Sequence, residues 1–257
     1  MFGRLLTFFF CTALGLTMVP AARAGSDRDV DVKLVLAVDA SDSVENWEWK
    51  LELDGIAAAF RDRDVRDLIA ALPHRRIAVA LLVWGAAYQG ADTTGWRLID
   101  GAAAEDKLAA EVASYPRRIG GGTAIGEGVA ASLQLIQAAA YDAPRKIIDV
   151  SGDGLESTPF TDPQIMMPEA RRMALAARVT INGLAIENEV PDLVDWYDEH
   201  VKTGPGAFVM KTQKMENFAT AFKAKLMREL LPELSDGTAP GQPAPSPAKR
   251  IVLGSAR

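Results

Sequence analysis

The sequence predicts an α/β domain of three layers: a mainly parallel six-stranded sheet, doubly wound with helices on both faces and carrying one antiparallel strand at its edge. Three observations predict it. Short, near-continuous apolar runs at 30–38, 77–84, 147–150 and 180–186 have the composition of strands buried on both faces. Segments between them place apolar residues at spacings of three and four, the helical period. Strand and helix patterns alternate almost throughout Val30 to Leu231, which implies crossover connections and a parallel sheet.

The first strand, Val30 to Val38, carries Asp31 and Lys33 only at its start. A helix follows over Asn46 to Phe60, because Trp49, Leu53, Ile56 and Phe60 form one stripe; Trp49 is a core residue, and Trp47, off the stripe, is a candidate contact residue. Arg61 to Leu72 is charged, helix-compatible and stopped at Pro73. Ile77 to Trp84 is the second strand. Trp96 to Ile99, after the turn-rich Gly90 to Gly95, is a third, joined too briefly for a crossover and so paired antiparallel with the second. Ala102 to Ser114 is a helix ending before Pro116. Behind Gly120-Gly121-Gly122-Thr123 comes a helix with Ile125, Val129, Leu133 and Ile136 on one face. Strand four is Ile147 to Val150, then a helix over Pro168 to Ala177 and strand five over Thr180 to Ile186. Pro191 to His200 reads as a helix, Ala207 to Met210 as strand six and Met215 to Leu231 as the last helix.

The flanks read differently. Arg4, an apolar segment from Leu5 to Val19 and Ala22-Arg23-Ala24 have the form of a secretory signal cleaved after Ala24, and the apolar segment is shorter than the roughly 20 residues of a membrane span. The expected organisation is therefore a signal peptide at 1–24, one domain at 25–231, and a tail at 232–257 rich in Pro, Ala, Gly and Ser, which cannot build a core. Its basic close, Lys249-Arg250-Ile251-Val252-Leu253, is a candidate contact peptide. Export to the periplasm or exterior follows. Cys11, the only cysteine, lies in the signal, so the mature chain has no thiolate site, nucleophile or disulfide. Loss of Arg4 and Arg23 with the signal leaves 26 basic against 34 acidic side chains, a formal charge of −8 that disfavours nucleic acid and anionic membranes as partners.

The chemistry gathers where the first strand stops. Asp39-Ala40-Ser41-Asp42-Ser43 presents a carboxylate and two hydroxyls at alternating positions, a D-x-S-x-S pattern. Hydroxyls with water-bridged carboxylates suit a small, hard cation such as Mg2+, which keeps several of its waters. In a doubly wound sheet ligands bind beyond the carboxyl ends of the strands, where strand order reverses, here between strands one and four. Asp153, after strand four, and Thr123, at the head of the helix feeding it, reach the same crevice. Taken singly, Asp39 to Ser43 is also consistent with a strand-end turn, Thr123 with a helix N-cap and Asp153 with a turn between glycines. The fold predicts that all of them converge.

These residues resemble those of a von Willebrand factor type A domain, whose metal-ion-dependent adhesion site has D-x-S-x-S after the first strand, a threonine behind glycines and an aspartate after the fourth strand. Asp39, Ser41, Ser43, Thr123 and Asp153 match it. The resemblance implies a divalent ion (Mg2+, or Mn2+ or Ca2+) bound directly by Ser41, Ser43 and Thr123, with Asp39 and Asp153 acting mainly through water. It further implies a protein or peptide partner whose Glu or Asp carboxylate completes the coordination. The chain is similar to exported, single-domain bacterial members of that group. Asp42 and Glu45 are acidic neighbours that either tune the ion or are simply solvated loop charges, and Glu187-Asn188-Glu189 is expected on the same rim.

An enzyme is the main alternative. Metal-dependent phosphoryl transfer on a doubly wound sheet uses a second aspartate where this chain has Ser41. A serine nucleophile needs a base, and His74 and His200, the only histidines, precede strands and fall at the opposite edge. Gly126 to Ala131 formally matches a dinucleotide fingerprint but lies inside a helix, so it is a chance match. A binding module rather than an enzyme is expected, with a scaffold whose site is vestigial as a further alternative.

Overall fold

The computed structural model describes residues 28–157 and 164–231. The expected signal peptide and tail lie outside the described residues. Seven strands form one sheet: β1 (Val32–Asp39), β2 (Ile77–Trp84), β3 (Asp92–Thr93), β4 (Arg97–Ile99), β5 (Arg145–Gly152), β6 (Thr180–Ile186) and β7 (Val209–Thr212). Their order is β3-β2-β1-β5-β6-β7, with β4 also on β2, and only β3 and β4 run antiparallel. The seventh strand is the one departure in strand count: Asp92-Thr93 is a two-residue pairing inside the stretch expected to be turns. Such a strand buries no apolar face of its own, so no alternation marks it.

The helices are α1 (Asn46–Arg61), α2 (Arg63–Ala71), α3 (Ala102–Ala113), α4 (Ile125–Ala138), α5 (Met167–Ala177), α6 (Leu193–His200) and α7 (Phe218–Leu230), the last entered through a short 3-10 turn over Met215–Asn217. β1 explains the layers. Its side chains alternate between two cores: Leu34, Leu36 and Val38 pack under α1, α2, α3 and α7 with Phe60 and Phe222, while Val35 and Ala37 pack under α4, α5 and α6 with Trp84, Val129 and Tyr197. Burial on both faces is what the unbroken apolar run requires. Glycines Gly126 and Gly128 of α4 serve packing: a Cβ on Gly128 would lie 2.6 Å from Trp84, and one on Gly126 2.4 Å from the Ile165 carbonyl.

Charge also enters the first core. Lys225 of α7 is fully buried, pairs with Asp149 of β5 and bonds Glu229 at 2.6 Å. Glu229 in turn accepts from Asn182 Nδ2 of β6 at 2.9 Å, so the last helix is tied to two strands by a polar cluster. At the amino edge His74 is bonded through its backbone and Nδ1 to Asp31, away from the strand ends that carry the site. Among the described residues no helix is long and apolar enough to cross a membrane.

Candidate metal centre

β1 and β5 are adjacent and in register, Val38 opposite Ser151, so Asp39 and Asp153 leave the sheet side by side. Asp39 turns the chain: its Oδ1 accepts from the Ser41 N–H at 2.7 Å, which curls the loop and stacks the two serines, with Ser41 Oγ and Ser43 Oγ 3.1 Å apart. Ser43 Oγ then donates to Asp153 Oδ1 at 2.8 Å, closing a link across 110 residues. Thr123 comes from the third segment. Its backbone is bound to Ser157, and a Cβ placed on Gly154 would lie 3.5 Å from its Oγ1, so the hydroxyl faces the Asp153-Gly154 turn. It is not a helix cap: the N-cap of α4 is Ala124, and no side chain bonds there.

The glycine loop is held by a clasp that the sequence did not reveal. Asp42 donates its N–H to the Gly121 carbonyl at 2.8 Å and accepts the Gly121 N–H on Oδ1 at 2.7 Å. Gly121 sits at φ 81°, and a Cβ there would lie 2.8 Å from Ala86. Only glycine meets both conditions. Asp42 is therefore committed to the loop, and Glu45 to capping α1, where it and Glu48 form a reciprocal capping box.

Below the hydroxyls the site is buried and short of donors. Asp39 is 0% and Asp153 1% exposed, and neither Asp39 Oδ2 nor Asp153 Oδ2 has a hydrogen-bond partner among the described residues. Burial, and then the like charge of Asp153, push the Asp39 carboxyl from 3.8 up to about 7 against the bond from Ser41. Burial likewise raises Asp153, opposed by Ser43 and reinforced by Glu189 and Glu48. Glu189 and Asn188, whose Nδ2 donates to Glu48 at 2.7 Å, place the 187–189 loop on this rim as expected. Unpaired buried carboxylate oxygens concentrated beside two hydroxyls are a donor set that a divalent cation satisfies. Among the described residues no three His, Cys, Asp or Glu side chains gather as a metal cage.

Four supporting side chains escaped the sequence reading. Glu52 of α1 is fully buried and accepts the Ser151 hydroxyl at 2.6 Å, joining α1 to β5 beneath the site, and burial pushes its carboxyl up to about 8. The Tyr197 hydroxyl lies across Gly152 from Asp39: a Cβ on Gly152 would be 2.6 Å from the phenol oxygen and 3.0 Å from Asp39 Oδ2. Arg117 donates to the Ala40 and Ser41 carbonyls at 3.0 and 2.7 Å, gripping the loop from outside. Glu156 receives the Gly126 N–H at 2.8 Å and the Met167 N–H at 2.9 Å, so one carboxylate pins the starts of both α4 and α5 near Asp153. For Glu52 a signal existed. It stands three residues after Trp49 and four before Ile56, on the buried stripe, where an acid is conspicuous.

The family model described as "Protein of unknown function (DUF1194)" matches residues 29–234. No curated protein matches the chain. Among solved structures, the pilus adhesin SpaC of Lactobacillus rhamnosus GG superposes with a TM-score of 0.56 at 13% identity, over 78% of this chain and 30% of that one. Proximal thread matrix protein 1 of the mussel byssus, solved with a zinc-occupied MIDAS motif, gives 0.52 at 16% identity over 79% and 48%. The vWF domain of the pilus tip protein Mfa5 of Porphyromonas gingivalis gives 0.51 at 14% over 77% and 94%. This chain thus spans less than half the length of the first two. The chain belongs to the DUF1194 family, and its fold is that of von Willebrand factor type A domains.

Proposed function

We propose that this protein is an exported, divalent-cation-dependent protein-binding module. The observation that carries the reading is the convergence of Asp39, Ser41, Ser43, Thr123 and Asp153 at one strand-end crevice, with the outer oxygens of both aspartates buried and unpaired among the described residues. Ser41, Ser43 and Thr123 would offer neutral oxygens to Mg2+, Mn2+ or Ca2+, and Asp39 and Asp153 the balancing charge. When bound, the ion supplies an electrophilic position open to a carboxylate from a Glu or Asp of a partner protein or peptide. Asp39 fixes the loop through Ser41, Asp153 orients Ser43, and Arg117 holds the loop backbone from behind. Trp47, 49% exposed and bonded to Glu45, stands near this loop as an apolar contact for such a partner.

A binding role is favoured over catalysis because no histidine pairs with either serine among the described residues: Ser43 donates to Asp153, and His74 is bound to Asp31 at the other edge. Adhesion and matrix proteins among the superposed structures support the same direction, and support export. The test is selection of a displayed peptide library on protein loaded with Mn2+. Recovered peptides should carry an acid whose amide counterpart no longer binds, and chelator should release them. Recovery only of chelator-insensitive peptides would contradict the reading.

A further inference from the structure

The exposed apolar side chains of the domain are not scattered. Among the described residues five large hydrophobic side chains are exposed, and three of them, Trp47, Tyr88 and Leu155, stand on the segments that follow β1, β2 and β5, at the end of the sheet that carries the strand-end crevice. Trp47 is the second residue of α1. Tyr88 lies in the turn after β2, and a Cβ on Gly121 would be 3.3 Å from its phenol oxygen, so it stands over the glycine loop. Leu155 comes two residues after Asp153. Large apolar side chains left in water at one end of a domain mark a contact surface.

Trp47 borders a broad open trough of about 810 Å3, lined by residues from 42–47 and 117–120, with Val44 and Ile119 buried beneath it. The trough shares Asp42 with the loop that carries Ser41 and Ser43, so it adjoins the crevice at the clasp between Asp42 and Gly121. Its charged lining is two acids and two bases, and all four are engaged. Asp42 Oδ1 accepts from the Gly121 N–H, and Glu45 from the Trp47 indole N–H. Arg117 donates to the Ala40 and Ser41 carbonyls and to Asn46 Oδ1, and Arg118 pairs with Asp92. No net charge is left over to select a charged side chain. What remains is an exposed indole pinned by Glu45 and two guanidinium groups held by their own bonds. Such a lining receives an aromatic ring, by stacking on the indole and by cation–π contact with the arginines. Because its side chains are already held, little rotamer entropy is lost on docking.

We propose that this trough receives an aromatic side chain of the partner protein or peptide, a few residues from the acid that completes the metal site. The assignment rests on the metal-dependent reading of the crevice and adds selectivity to it. The ion is an anchor for any acidic partner, and the trough beside Trp47 chooses among them by the ring they carry. Tyr88, across the glycine loop, widens the apolar rim.

The test uses displayed peptides with a fixed central Asp and three random positions on either side, a reach of about 10 Å each way, selected on the Mn2+-loaded protein. Recovered peptides should carry Phe, Tyr or Trp at one constant offset from the Asp. Replacing that ring by Ala in a recovered peptide should weaken binding about tenfold on the parent and by no more than about twofold on Trp47→Ser. The same peptide with Asn for its Asp should fail on both proteins. Leu175→Ser, which removes an exposed leucine at the end of α5 remote from the trough, should behave as the parent. Acid-bearing, chelator-released peptides with no aromatic preference would overturn the proposal and leave the metal reading standing. So would a ring whose removal costs as much on Trp47→Ser as on the parent. Recovery of no chelator-released peptide at all would overturn the metal reading, and the proposal with it.

Discussion

Glu52→Gln separates the cost of the polar site from its geometry. Glu52 is fully buried, and its carboxyl is raised from 4.5 to about 8, first by burial and then by Asp39, Asp153 and Asp149, against the Ser151 bond. A carboxyl raised on folding leaves stability intact below its unfolded value and removes it as pH climbs through the folded value. The shift from 4.5 to about 8 corresponds to roughly 3–5 kcal/mol, absent near pH 4 and largely expressed by pH 8. Glutamine keeps an oxygen for the Ser151 hydroxyl now bonded at 2.6 Å and cannot ionise. Its amide hydrogens, lacking a ready acceptor, cost about 1 kcal/mol. The variant should therefore match the parent at pH 5 and exceed it by about 2–4 kcal/mol at pH 8, measured by urea unfolding in chelator. A variant less stable than the parent at pH 8, or an equal difference at both pH values, would refute the reasoning.

Three further outcomes follow from the geometry. Arg117→Ala frees the Ala40 and Ser41 carbonyls and should cost about 1.5–3 kcal/mol and weaken Mn2+ binding severalfold in titration calorimetry. Gly121→Ala must hold φ 81° against Ala86, so a loss of about 2 kcal/mol in urea unfolding is expected, with the Asp42 clasp loosened. Lys225→Met leaves Asp149 and Glu229 buried without their cation and should cost about 3–5 kcal/mol by the same measurement, whereas replacing all three by apolar residues should recover most of it.

The layers were legible because burial on both faces writes itself as unbroken apolar runs. β6 has the expected bounds, and strand order follows the doubly wound rule. Boundaries moved where polar residues extend a strand: β5 runs from Arg145 to Gly152, beyond its apolar centre, because Arg145 and Lys146 reach backbone carbonyls while their main chain stays in the ladder. The convergence of Asp39, Ser41, Ser43 and Asp153 was legible too, since topology alone brings those strand ends together. What escaped were side chains whose partners are distant backbone groups. Glu156 binds the N–H groups of Gly126 and Met167, and Arg117 the carbonyls of Ala40 and Ser41, and no spacing in the sequence encodes either pairing. Asp149 and Lys225 are intermediate: an acid inside Ile147 to Val150 was visible as an anomaly, but its partner on α7 emerges only from the packing.

Thermal unfolding with Mg2+ or Mn2+ against chelator, for the parent and for Asp39→Ala with Ser41→Ala, tests the central claim most directly. A cation bound only by the folded state adds about 2.7 kcal/mol at a hundredfold excess over its dissociation constant, a rise of about 5–10 °C for a domain of this size. The account predicts that rise in the parent and none in the variant. No rise in the parent at millimolar metal would contradict it.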